Sequence, residues 1–62
     1  MILVVPIGAE QYPISHGTTQ YRPFLADHTD KSTYPTWLVD MPAEHAQHFM
    51  HNAGFYPWKQ QP

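Results

Sequence analysis

The sequence contains no cysteine among its 62 residues, which excludes a disulfide and any thiolate metal site. A chain this short buries only about 60% of the surface that its unfolded form exposes, so natural examples usually add a disulfide, a metal or a partner. With the disulfide excluded, a metal held by histidine and carboxylate groups or a partner protein remains. We expect a partner protein.

Charge is also scarce, at 13% of residues, with three basic side chains, five acidic ones and a net charge of −2. A nucleic-acid-binding protein needs a basic face to neutralise phosphates, so this balance argues against that class. The opening apolar run from Met1 to Ile7 is too short for a membrane span and lacks the basic flank and cleavage site of a signal peptide. We therefore expect a protein made in a cytoplasm, without a membrane partner.

The sequence lacks the motifs that catalysis requires. Its three glycines are isolated, so no phosphate-cradling loop is present. Ser15 adjoins His16 in sequence, an arrangement that does not align a hydroxyl with an imidazole. The spacing of Asp27 and Asp30 lacks the length, glycine and closing glutamate of a calcium loop. We predict no catalytic residue, no cofactor and no enzymatic activity.

The pattern that is present predicts an α+β fold: a small β-sheet or an SH3-like partial barrel of short strands, with one C-terminal amphipathic helix. Residues 1–58 are expected to form a single small module with an extended N-terminal strand, followed by a loose tail at 59–62. Prolines within the strand candidates limit strand length and blunt sheet edges. The expected strands are residues 2–5, 21–25 and 33–40, with turns at Gly8 and His16-Gly17, a polar loop at 27–32 and an extended stretch at 55–58.

The clearest predicted element is a helix from about Pro42 to Ala53. Pro42 suits the first helical turn because it lacks an N–H that would stay unpaired there. Gly54 suits the left-handed conformation that ends helices. Apolar residues recur along this segment at helical spacing and form one stripe. The expected core residues are Trp37, Val39, Ala46, Phe49, Met50 and Phe55.

Five histidines are present: His16, His28, His45, His48 and His51. The last three lie on the helix three residues apart, and each such step turns the side chain by about 60°, so the three do not converge on one ion. We favour a solvent-exposed face opposite the apolar stripe. Two alternatives are a metal bound by His45 and His48, and a surface whose charge responds to pH.

Nine aromatic residues in so short a chain cannot all be interior, and exposed aromatic patches are typical of interaction sites. We assign Trp37 and Phe55 to the core. Tyr56 and Trp58 flank a proline near the C-terminus and are expected to point outward. The candidate partner-binding residues are Ile2, Val4, Tyr34, Tyr56, Pro57 and Trp58.

A series of short motifs runs along residues 14 to 56: His16-Gly17, Tyr21-Arg22-Pro23, Leu38-Val39-Asp40-Met41-Pro42, Glu44-His45-Ala46 and Ala53-Gly54-Phe55. In this order they resemble short proteins encoded among the head and tail genes of tailed bacteriophages. This chain departs from that pattern at Phe24, where a glycine is usual, and in a longer segment before the helix.

The resemblance implies a virion structural accessory protein that docks on the major capsid protein or on head–tail proteins. The role that we expect is a capsid decoration or cement protein, present in the virion. Whether copies form homo-oligomers within its lattice is left open by the sequence. One alternative is a small phage-encoded inhibitor or regulator that binds a host protein. A second is a metal-dependent binding module built on the helix histidines.

Overall fold

The computed structural model of the chain describes residues 1–26 and 35–59. It confirms the predicted α+β fold, as small antiparallel sheets of short strands with one helix, while an SH3-like barrel is not confirmed. The predicted loop at 27–32, with His28, and also Tyr34 and residues 60–62 lie outside the described residues. The elements are β1 (Ile2–Val4), a 3₁₀ turn (Ala9–Gln11), β2 (Ile14–His16), β3 (Thr19–Tyr21), β4 (Phe24–Leu25), β5 (Trp37–Asp40), α1 (Ala43–Asn52) and β6 (Tyr56–Pro57).

The larger sheet has four strands in the order β4-β5-β1-β6, each antiparallel to its neighbours. In β1, Leu3 lies opposite Val39 of β5 on one side and opposite Pro57 of β6 on the other. Leu3, Val4 and the following Val5 are all buried. A short, uninterrupted apolar run is typical of a strand buried on both faces, which is the position that β1 occupies.

The smaller sheet is a hairpin of β2 and β3, with Ile14 opposite Tyr21 and the turn at Gly17, whose φ is 63°. The turn was predicted from the sequence, but the strands on either side of it were not. The single strand predicted for residues 21–25 is divided between β3 and β4, with Pro23 in between. Proline has no N–H to give to a ladder, which accounts for the break.

Helix α1 lies within the predicted limits. The backbone N–H of Ala46 donates to the carbonyl of Pro42 at 2.9 Å, which closes the first turn. At the other end Gly54 has a φ of 79°, the left-handed conformation that glycine adopts without a steric penalty. The N–H of Phe55 then turns back onto the carbonyl of Phe49 at 3.3 Å, so the chain leaves the helix toward β6. Within residues 1–26 and 35–59, no helix has the length and apolar character needed to cross a membrane.

The main core lies where α1 and the hairpin cover one face of the larger sheet. Of the six predicted core residues, Val39, Ala46, Phe49 and Phe55 are buried in it, whereas Trp37 and Met50 are only partly buried at its margin. The full cluster consists of Leu3, Val5, Ile14, Val39, Met41, Ala46, Phe49 and Phe55. A second, smaller cluster lies on the opposite face and consists of Val4, Ala26 and Leu38, with Trp58 packed against it.

Candidate docking site

The four-stranded sheet has two different faces. Successive side chains of a strand point to opposite faces, and residues directly opposite each other on neighbouring strands share a face. Leu3 belongs to the main core, so Val4 lies on the other side, together with its cross-strand neighbours Leu38 and Tyr56. We call the side covered by α1 the helix face. The other is the outer face, formed by the apolar residues Ile2, Val4, Phe24, Leu38, Tyr56 and Trp58 and by Asp40, which lies opposite Ile2.

The centre of the outer face is buried and its margins are exposed. Val4 and Leu38 are only 7% and 4% exposed and pack with Ala26 and Trp58. Around them, large apolar side chains remain exposed, and Tyr56 is the most exposed of them at 57%. Exposed apolar groups that adjoin one another, unlike single scattered ones, are typical of interaction sites.

The outer face contains an open groove of about 550 Å³, lined by Val4, Thr36, Tyr56, Pro57, Trp58 and Lys59. A second concavity of about 320 Å³ adjoins it, because Val4, Thr36 and Tyr56 line both. The second concavity continues along Val5, Pro6, Ile7 and Pro35. The lining of the first groove is mostly apolar, and Lys59 is its one charged side chain. Grooves with a mostly apolar lining are typical of binding sites.

The free edge beside this groove is β6, and it is poorly suited to pairing with another strand. The N–H of Trp58 donates to the carbonyl of Ile2 at 2.9 Å, so the nitrogen of the preceding residue, Pro57, faces away from β1. Proline has no N–H, so the outward edge lacks a donor at this position. Prolines are one of the devices that protect sheet edges against strand addition. The face of the sheet, rather than its edge, is therefore the surface available for contact.

The structure brings most of the predicted partner-binding residues together. Ile2 and Val4 of β1 lie beside Tyr56, Pro57 and Trp58, because β6 pairs with β1. Val4 departs from the expected exposure: it is packed between strands and can meet a partner only at the floor of the groove.

Sequence reasoning missed several residues of this site: Thr36 and Lys59 in the first groove, Val5, Pro6, Ile7 and Pro35 in the second concavity, and Phe24, Leu38 and Asp40 on the outer face. The signal that could have identified Leu38 is the adjacent apolar pair Leu38-Val39 in β5. Such a pair indicates a strand that is buried on both faces, and both residues are indeed buried.

A second group of polar aromatic residues lies on the helix side of the molecule. The ring of His16 in β2 stacks on that of His45 in α1, with 4.1 Å between the ring centroids and 20° between their planes. His48 meets His16 edge-on at 5.3 Å. The hydroxyl of Tyr21 forms a hydrogen bond with Nδ1 of His45. His45 is therefore half-buried against the hairpin, not on an open helix surface as the sequence suggested, whereas His51 is exposed.

This histidine cluster does not have the geometry of a metal site. Stacked rings hold their nitrogens in nearly parallel planes, whereas ligands of one ion must direct their lone pairs toward a common point. Within the described residues, no group of three or more histidine, aspartate or glutamate side chains is placed to hold a metal. The rings of His45 and His48 both contact the ring of His16, and within the described residues these histidines belong to no larger group of metal ligands.

Comparison of the chain with protein-family models, with curated proteins and with solved structures finds no match. The resemblance to short phage structural proteins, which depends on brief motifs, therefore stays a prediction. The functional argument that follows depends on the geometry of the outer face.

Proposed function

We propose that this chain is a non-catalytic accessory module that docks onto a larger protein assembly through the outer face of its sheet. One observation carries the proposal: Tyr56 is 57% exposed and borders both concavities, above the buried Val4. Large aromatic side chains dominate binding energy at protein interfaces because they bury much area with few rotatable bonds. A partner that fills both concavities encloses the Tyr56 ring on two sides.

The small interior supports the same proposal. Within the described residues, Leu3 and Val39 are the largest fully buried side chains. A protein of this size with so few fully enclosed large residues gains considerably from any ligand that binds only the folded form. Docking the outer face on another protein would extend the three-residue cluster around Val4 into a core shared with the partner.

The assembly that we propose is a virion, with the major capsid protein or head–tail proteins as partners. Support comes from the motif resemblance and from the mostly apolar lining of the groove, since a decoration or cement protein needs an adhesive surface.

Site-specific photo-crosslinking tests this proposal on intact particles. A photoreactive benzoyl-phenylalanine replaces Tyr56 in the full chain, which is produced together with the virions of the phage that encodes it. Tyr12 is a matched control, because it is also an exposed tyrosine that precedes a proline, it is 68% exposed, and it lies outside both concavities. Purified particles are then irradiated and the cross-linked peptides are identified by mass spectrometry.

The expected result is a chain present in many copies per particle, with cross-links from position 56 to one capsid or head–tail protein and few from position 12. Absence of the chain from purified particles would overturn the virion assignment. In that case, a dominant cross-link from position 56 to one host protein would support the regulator alternative, with the outer face still as the docking surface. Equal cross-linking from both positions would overturn the docking face itself.

A further inference from the structure

We propose that the stack of His16 on His45 is a pH-sensitive latch, which holds the β2–β3 hairpin against α1 when the rings are neutral and releases it when both are protonated. The proposal uses none of the residues of the outer face and does not depend on the docking function. It depends on a juxtaposition of residues 29 positions apart in the sequence, which the fold brings to a centroid distance of 4.1 Å.

The latch joins three elements. His16 comes from β2, Tyr21 from β3, and His45 and His48 from α1. His16 contacts both helix histidines, and the Tyr21 hydroxyl bonds to Nδ1 of His45. In the part of the chain that the structure describes, no aspartate or glutamate forms an ion pair with these rings. The carboxylate nearest in sequence, Glu44, precedes His45 on α1, is exposed and makes no ion pair with any of these rings.

Histidine is the side chain whose charge ordinarily changes between pH 5 and 8. With both rings protonated, two positive charges would lie about as far apart as the ring centroids, and like charges at that distance repel strongly when partly shielded from water. Release of the hairpin separates the two rings and removes this repulsion.

The sign of the pH effect follows from proton binding. Two imidazolium charges at the stacking distance repel each other only while the hairpin is docked, so protonation of both rings favours release. Docking is therefore strongest above the range in which histidine titrates and weakens as the pH falls through it.

Release would expose apolar surface. Ile14 of β2 is buried in the main core, and Tyr21 of β3 packs on the margin of that core. When the hairpin leaves α1, both lose their contacts and uncover part of the cluster around Phe49. The latch thus couples a change in proton concentration to the appearance of an apolar patch on the helix side.

Amide hydrogen exchange of the full chain at pH 7.5 and pH 5.0, corrected for intrinsic exchange rates, measures the latch directly. Protection of the β2–β3 amides is expected to fall at least about tenfold at the lower pH, while the amides of β1 and β5 change by less than about twofold. The variant His16→Phe keeps an aromatic ring over His45 and removes its charge, so hairpin protection should become independent of pH. His51→Phe changes an exposed histidine of the same helix and should keep the response.

Equal hairpin protection at both pH values, or an unchanged response in His16→Phe, would overturn the proposal. If His16→Phe does not fold, His45→Phe, which removes the other charge of the stack, decides instead. Its hairpin protection should likewise lose its dependence on pH. An unchanged pH response in His45→Phe would overturn the latch, as would loss of the pH response of the unmodified protein on adding EDTA, which would identify a bound metal as its cause.

Discussion

The helix face and the outer face of the sheet are built from the same strands but are closed to different extents. On the helix face, α1 and the hairpin complete a cluster of eight buried residues. On the outer face, the buried cluster has three residues and is bordered by a groove of about 550 Å³. The difference arises from what covers each face, since β1 and β5 contribute a buried apolar residue to both. A small chain can thus secure its fold on one face and keep the other for binding.

Matched leucine truncations should give the largest contrast between the faces. Leu3→Ala removes a fully buried side chain from the helix face and should lower the free energy of unfolding by about 3–5 kcal/mol. Leu38→Ala removes the same atoms from the outer face, where Trp58 can settle into the space, and should cost only about 2 kcal/mol. Urea denaturation followed by tryptophan fluorescence measures both. Equal losses would show that the outer face is packed as tightly as the helix face.

Enlarging one alanine on each face should give a smaller contrast. Ala46 is fully buried between α1 and the sheet, so Ala46→Val should cost about 1–3 kcal/mol through overpacking. Ala26→Val extends toward the outer face and should cost less than about 1 kcal/mol.

Thermal unfolding measures this second contrast, since about 1 kcal/mol shifts the Tm of so small a domain by roughly 4–8 °C. Ala43→Val, at an exposed position of α1, corrects for the lower helix propensity of valine. A Tm for Ala46→Val equal to that of the Ala43 control would contradict tight packing on the helix face.

Opening the edge of β6 should alter association more than stability. Pro57→Ala restores an outward N–H. It also raises the conformational entropy of the unfolded chain, so it should lower the free energy of unfolding by about 0.4–1 kcal/mol. The restored donor should also favour pairing of β6 with a second copy, which sedimentation at rising protein concentration detects. A variant that stays as monomeric as the parent protein would show that Pro57 does not protect this edge.

Removing the exposed ring of the outer face should have the smallest effect on stability. Tyr56→Ser is expected to change the free energy of unfolding by no more than about 0.5 kcal/mol, as is the control Tyr12→Ser. Only Tyr56→Ser should reduce incorporation of the chain into virions, measured by quantitative mass spectrometry of purified particles. A large loss of stability in Tyr56→Ser would mean that this ring serves the fold rather than a partner.

Local sequence signals predicted part of this fold. Helix α1 and its end at Gly54 follow from the apolar stripe and from conformational preferences that act over a few residues. The hairpin was missed because residues 9–20 are mixed and mostly polar, so only the turn at Gly17 gave a signal. The candidate site was predicted in part: Tyr56, beside a proline, is exposed as expected, whereas Trp58, also expected to point outward, is partly buried against Val4 and Leu38.

By itself, the sequence determined the fold class, the position of the helix, the apolar character of β1 and the exclusion of a disulfide. The tertiary structure alone decided which strands pair, and therefore that Val4, Leu38 and Tyr56 share a face and that His16 meets His45. The physical reason is the distance along the sequence between the residues that interact. Helix caps and turns depend on neighbours within a few residues, whereas strand pairing and ring stacking join residues dozens of positions apart, and no local pattern encodes which partner they find.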